Sequence, residues 1–126
     1  MSRLIAAYRR SDYRIGDVVV RIRRRSAAMD LLLRRHGVRA AVLTGAWNPL
    51  SRRMAEGWNR QMDARLREHL RQYSWLPAEG GAGRWQEAHA LVLGDERSAL
   101  VLSRRFRQRA VVLLRRGQQA RLVIIR

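Results

Sequence analysis

A chain of 126 residues is the size of one domain and long enough to bury a core unaided. Its apolar residues, 47% of the total, are spread along the whole length, which excludes a disordered polypeptide. No cysteine is present, so disulfides, thiolate nucleophiles, zinc ribbons and iron–sulfur clusters are excluded together. The 27 basic residues are all arginine and stand against 10 acidic ones, a formal net charge of +17. Such a surface suits phosphate groups, but a GC-rich genome also turns lysine into arginine without functional demand.

The opening segment, Met1 to Arg10, holds only a short apolar group, Leu4 to Tyr8, which fits a first helical turn packed on the core. It is too short for a signal-peptide core, and no run approaches the roughly 18 apolar residues of a membrane span, so a cytoplasmic protein with no membrane span is expected. Val18, Val20 and Ile22 alternate with Val19, Arg21 and Arg23, the period of a strand with one face inward. Ser26 can cap a helix whose stripe is Met29, Leu32, Leu33 and His36, and Gly37 suits its end. Ala40 to Thr44 reads as a strand buried on both faces.

The longest helix is expected from about Ser51 to Tyr73, with Met54, Trp58, Met62, Leu66 and Leu70 toward the core. Arg53, Arg60, Arg67 and Arg71 lie opposite, and the pairs Glu56–Arg60 and Asp63–Arg67 mark them as an ordinary solvated face. Pro77 to Gly83, rich in glycine, reads as a mobile loop. It is no phosphate loop: a Walker motif needs lysine, and a dinucleotide fingerprint needs glycine where Gln86 stands. Leu91 to Leu93 forms another buried strand, Asp95 caps a helix packed through Ala99, Leu102 and Phe106, and Ala110–Leu114 with Leu122–Ile125 form a terminal hairpin through Arg116-Gly117. No internal repeat and no linker is apparent. The fold class is α/β, a single small domain over residues 1–126: a mixed β-sheet with about three packed helices and a C-terminal β-hairpin.

Catalytic signatures are absent. His36, His69 and His89 are far apart and lack metal-pair spacing, so each is read as structural, and no metal or cofactor is expected. There is no Gly-x-Ser-x-Gly elbow. The segment Thr44 to Ser51 differs, because it joins a buried strand to a helix, where open α/β sheets commonly bind ligands. Asn48 or Ser51 can cap that helix, and its free N–H groups favour an anion.

Tyr8 and Tyr13, Thr44 with Trp47-Asn48-Pro49 and Ser51, Asn59, Trp85 with Glu87, and Phe106 with Gln108 occur in an order that resembles the uncharacterised bacterial proteins grouped as domain of unknown function 3293. The Trp-Asn-Pro element is the most specific part. Two positions depart from the family's usual pattern: Trp58 stands in place of an acidic residue and Arg107 in place of glycine. The resemblance implies a fold and a candidate pocket lined by Thr44, Trp47, Asn48, Ser51, Asn59, Glu87 and Gln108, but brings no activity. The resulting expectation is a binding module for an anionic ligand, nucleotide or nucleic acid, near the Thr44–Ser51 loop. The alternatives are a small enzyme acting on a nucleotide-like substrate, with Glu87 as acid or base and Asn48, Asn59 and Gln108 positioning it, or an accessory protein-interaction domain. Oligomeric state is not encoded in any motif.

Overall fold

A computed structural model describes residues 2–47 and 52–125. Its elements in chain order are α1 (Ser2–Arg10), β1 (Asp12–Ile15), β2 (Val18–Val20), α2 (Ala27–Arg35), β3 (Ala40–Thr44), α3 (Glu56–Leu70), β4 (Trp75–Ala82), β5 (Trp85–Leu93), α4 (Glu96–Arg105), β6 (Ala110–Arg115) and β7 (Arg121–Ile124). The seven strands form one sheet in the order β2-β1-β4-β5-β3-β6-β7. Every paired neighbour is antiparallel, and the mixed character expected from the alternation of strands and helices is confined to one parallel bridge, Ile22 to Ala120. That bridge joins the two edges. Arg23, at φ 71, turns the chain so that its N–H reaches the Ala120 carbonyl at 2.8 Å while Ala120 N–H reaches Arg24 at 3.0 Å, and the sheet is curled.

Both faces of the central strands are covered, which is why Ala40 to Thr44 carries no polar alternation. Ala41, Leu43, Leu91, Leu93, Val112 and Leu114 share one core with Met29 and Leu33 of α2, and Tyr8 of α1 packs against it. Val42, Ala90, Val92, Val111 and Leu113 form the other core with Leu66 and Leu70 of α3 and Leu102 of α4. Four helices are thus packed where about three were expected, α1 being a full helix.

Two readings are corrected by local causes. The segment from Pro77 to Gly83 is not a loop: it is most of β4, and only Gly83, at φ +57, belongs to the turn into β5. Gly80 is there for packing. Tyr13 of β1 lies opposite Gly80, and a Cβ at Gly80 would stand 2.6 Å from Tyr13 Cδ1, so the ring occupies the space a side chain would need. Pro77 pairs only with β5, beyond the last β1 partner at Glu79, where a missing N–H costs little. The long helix begins at Glu56, not near Ser51, and its N-cap is Ala55, which offers no side-chain cap; Asn48 and Ser51, the expected caps, lie outside the described residues.

The chain also contains a repeat that its letters conceal. Leu33-Arg34-Arg35-His36-Gly37-Val38-Arg39-Ala40 ends α2 and enters β3, and Ser103-Arg104-Arg105-Phe106-Arg107-Gln108-Arg109-Ala110 ends α4 and enters β6. The two turns use equivalent hydrogen bonds: Val38 N–H to Leu33 at 3.0 Å and Gln108 N–H to Ser103 at 3.0 Å, with Gly37 and Arg107 bonded to Arg34 and Arg104. Both are helix C-caps of the Schellman type, which need one left-handed residue. Gly37 supplies it at φ +67 and Arg107 at φ 56. Arg107 carries a Cβ where glycine is preferred, so Arg107→Gly should stabilise the protein by on the order of 0.5–1 kcal/mol in urea unfolding, and an unchanged midpoint would mean the turn bears no strain.

Candidate functional site

A cavity of about 270 Å³ lies where β3 ends and β6 begins. The turn after α4 contributes Gln108 and Arg109 to its wall, β4 and β5 contribute Gly80, Glu87 and His89, and α1 with the start of β1 contributes Tyr8 and Tyr13. Of the residues expected from sequence, Thr44, Trp47, Glu87 and Gln108 line it. Asn59 does not. Asn48 and Ser51 lie outside the described residues.

Tyr13 is 3% exposed, and its ring meets His89 edge-on at a centroid distance of 5.8 Å. Gly45 and Gly80 make room for the imidazole, since a Cβ at Gly45 would lie 3.6 Å from its ring and one at Gly80 3.3 Å from Cε1. His89 Nδ1 is 3.0 Å from the Glu87 carbonyl. A carbonyl only accepts, so Nδ1 donates and Nε2 of the neutral ring is left as an acceptor. The Tyr8 hydroxyl donates to the Ala110 carbonyl at 3.4 Å. Burial, with a smaller contribution from the negative charge of Glu87, pushes the Tyr8 phenol up to about 12. Burial also raises Tyr13, helped by Tyr8 and Glu87 and opposed by hydrogen bonding with Ser11. Both phenols are protonated at neutral pH and serve as hydrogen-bonding groups, not as bases.

Several expected residues act as supports. Ser103 Oγ donates to the Ala99 carbonyl at 2.7 Å, so it receives the proton of Thr44 Oγ1 at 2.6 Å, and the Thr44 hydroxyl is committed to α4 although the residue borders the cavity. Gln108 Nε2 donates to the Trp47 carbonyl at 3.1 Å and to Phe106 at 3.3 Å, tying the strand–helix loop to the turn after α4. The Trp47 indole N–H is buried with no hydrogen-bond partner among the described residues. Asn59 is 1% exposed and reaches back with Nδ2 to the Met54 carbonyl at 3.3 Å. It thereby fixes the segment that carries Arg53 to the cavity wall.

Sequence reasoning missed Arg53, Arg109 and His89. Arg53 belongs to no helix, so its place on a helical arginine stripe was illusory; Arg67 and Arg71 of that stripe do pair, with Asp63 at 3.0 Å and Glu68 at 3.2 Å. His36 caps α2 and His69 meets Phe106 edge-on at 5.7 Å, so two of the three histidines have structural surroundings. The wall therefore presents two guanidinium groups, one carboxyl group, two phenols and an imidazole. Among the described residues no group of His, Asp or Glu could hold a metal ion, and no helix is long and apolar enough to cross a membrane.

Comparison with known proteins returns no match among curated proteins or among solved structures. The family described as "Protein of unknown function (DUF3293)" matches residues 43–111, more than half of the chain, a stretch that includes Trp47, Arg53, Glu87, His89, Gln108 and Arg109 but neither cavity tyrosine. By that match the chain belongs to the family of proteins of unknown function DUF3293.

Proposed function

We propose that this protein is a binding module for a small anionic ligand of mononucleotide class, held in the cavity at the end of β3. The observation that carries the reading is the convergence of Arg53 and Arg109 with Glu87, His89, Tyr8 and Tyr13 on one concavity of about 270 Å³, close to the lower end of small-ligand sites. Two guanidinium groups offer paired N–H donors to a phosphate or carboxylate, and Glu87 and the His89 Nε2 accept from the ligand's hydroxyl or amino groups. A cavity of this size admits one nucleotide, not a strand.

Calorimetry and thermal shift with nucleoside monophosphates, the matching nucleosides and inorganic phosphate test it. A monophosphate should raise the melting temperature while its nucleoside does not. Arg53→Gln/Arg109→Gln should weaken binding at least tenfold, because charge-assisted hydrogen bonds contribute about 1.5–3 kcal/mol and about 1.4 kcal/mol is a factor of ten. Unchanged binding by that variant, or no shift with any compound, would remove the cavity as an anion site.

A further inference from the structure

The repeat places a second concavity at the opposite ends of the same two strands. Arg39 and Ala40 enter β3 as Arg109 and Ala110 enter β6, and Arg39 lines a groove of about 640 Å³ together with the end of β6 and the β6–β7 turn. The groove keeps the arginine of the repeat, but Val38 stands where the cavity has Gln108.

Its acidic residues are already occupied. Asp30 accepts the Gly117 N–H at 3.0 Å and faces Arg25 at 3.7 Å, and Glu96 holds Arg115 through two bonds of 3.2 and 2.9 Å. Arg34, Arg39 and Arg116 line the groove without an acidic partner among the described residues. Three guanidinium groups held around an open concavity are a poor arrangement for stability, since like charges repel, and a good one for a chain of phosphates. More charge continues alongside: Arg23 and Arg24 form the backbone bridge to Ala120, just beyond the groove's Gln118. Among the described residues no aromatic side chain lines the groove to stack on a base.

We propose that this groove binds the phosphodiester backbone of nucleic acid without reading its sequence. A concave site favours a strand of phosphates over a lipid surface, which would need the arginines on a convex face. The inference is independent of the cavity at the other strand ends.

The probe is a labelled mixed-sequence DNA duplex of about 20 base pairs, followed by fluorescence anisotropy over about 0.05–0.3 M salt. The wild-type protein should still bind at about 0.15 M salt, and log K should fall with log salt with a slope of about 2.7 or more, at 0.9 per phosphate for three contacts. Arg34→Gln/Arg39→Gln/Arg116→Gln should lose at least about tenfold in affinity and lower the slope by about 2–3. Arg9→Gln/Arg60→Gln/Arg65→Gln removes the same charge from exposed positions on α1 and α3 and should stay within about threefold. Should circular dichroism show the groove triple variant unfolded, Arg34→Gln and Arg116→Gln singly should each lower the slope by about 0.9. Saturating adenosine monophosphate should leave duplex binding unchanged, whether or not it occupies the cavity. Equal losses in the two triple variants, disappearance of wild-type binding by about 0.15 M salt, or binding to phosphatidylserine vesicles in preference to the duplex would overturn the proposal.

Discussion

Leu66→Ala is expected to destabilise the protein by about 3–5 kcal/mol in urea unfolding, and Trp58→Ala by only about 1–2 kcal/mol. Helical periodicity alone reverses the emphasis, because it places Trp58 and Leu66 on one stripe and the larger ring would cost more to truncate. Leu66 of α3 is 0% exposed, in the core that also holds Leu70, Leu102 and Phe106. Removing three carbons there leaves a void that surrounding helices cannot close fully. Trp58 is only half-buried, in the first turn of α3, and the fully buried residue of that turn is its polar neighbour Asn59. Equal losses in the two variants would show that the start of α3 is packed as tightly as its middle.

The second large effect is alkaline. Raising the pH through the interval from about 10 to about 12 should remove on the order of 3 kcal/mol of stability through Tyr8 and at least as much through Tyr13, since each tenfold change in an ionisation constant corresponds to about 1.4 kcal/mol. The sign follows from the neutral form being favoured by burial. In the unfolded chain a phenol ionises near its ordinary value of 10.0, whereas folded Tyr8 holds its proton to about 12. Below pH 10 both states carry the proton and the full stability is present; above it the unfolded state loses protons first and is drawn out by mass action. The readout is far-ultraviolet circular dichroism recorded together with tyrosinate absorbance. The two should change together, and Tyr8→Phe/Tyr13→Phe should move the unfolding midpoint to higher pH. Tyrosinate appearing near pH 10 in a protein that remains folded would show the phenols to be open to water.

How much of this was legible depended on whether the cause was local. Ser26 accepts from the Met29 N–H at 3.0 Å and Asp95 from Ser98 at 3.0 Å, and both caps, the stripes behind them and the turn at Gly37 could be read from a few neighbouring letters. The buried strand β3 was visible for the same reason. By contrast, β4 reads as a loop because the reason for its Gly80, the Tyr13 ring, stands on another strand more than sixty positions earlier in the chain. The start of α3 was misplaced because the polar letters Asn48 and Ser51 look like caps, whereas the helix starts after Ala55 without one.

The cavity follows the same rule. Trp47 lay in the strand–helix segment that position alone marks, Glu87 and Gln108 came from resemblance to a family, and Arg53, Arg109 and His89, distant in sequence, meet on one wall only in the folded chain. The repeat stayed hidden because its two diagnostic positions differ, glycine against arginine at 37 and 107 and valine against glutamine at 38 and 108. The segments share Arg-Arg and Arg-Ala, common letters in so arginine-rich a chain, and it is the matching hydrogen bonds that mark them as a repeat.

The strand order carries a consequence in time. β1 and β2, β4 and β5, and β6 and β7 are each joined by a short turn and can pair as soon as they are made. β3 is the exception among the described strands. Its partners in β5 and β6 follow roughly fifty and seventy residues later, as Ala41 pairs with Leu93 and Leu114. On a growing chain its apolar run has no neighbouring strand until β5 has emerged, and its first pairing must close a loop of roughly fifty residues. The strand that ends at the cavity is therefore the one that must wait for two later hairpins before both its edges are filled, and the interval before it docks leaves its apolar run exposed to aggregation.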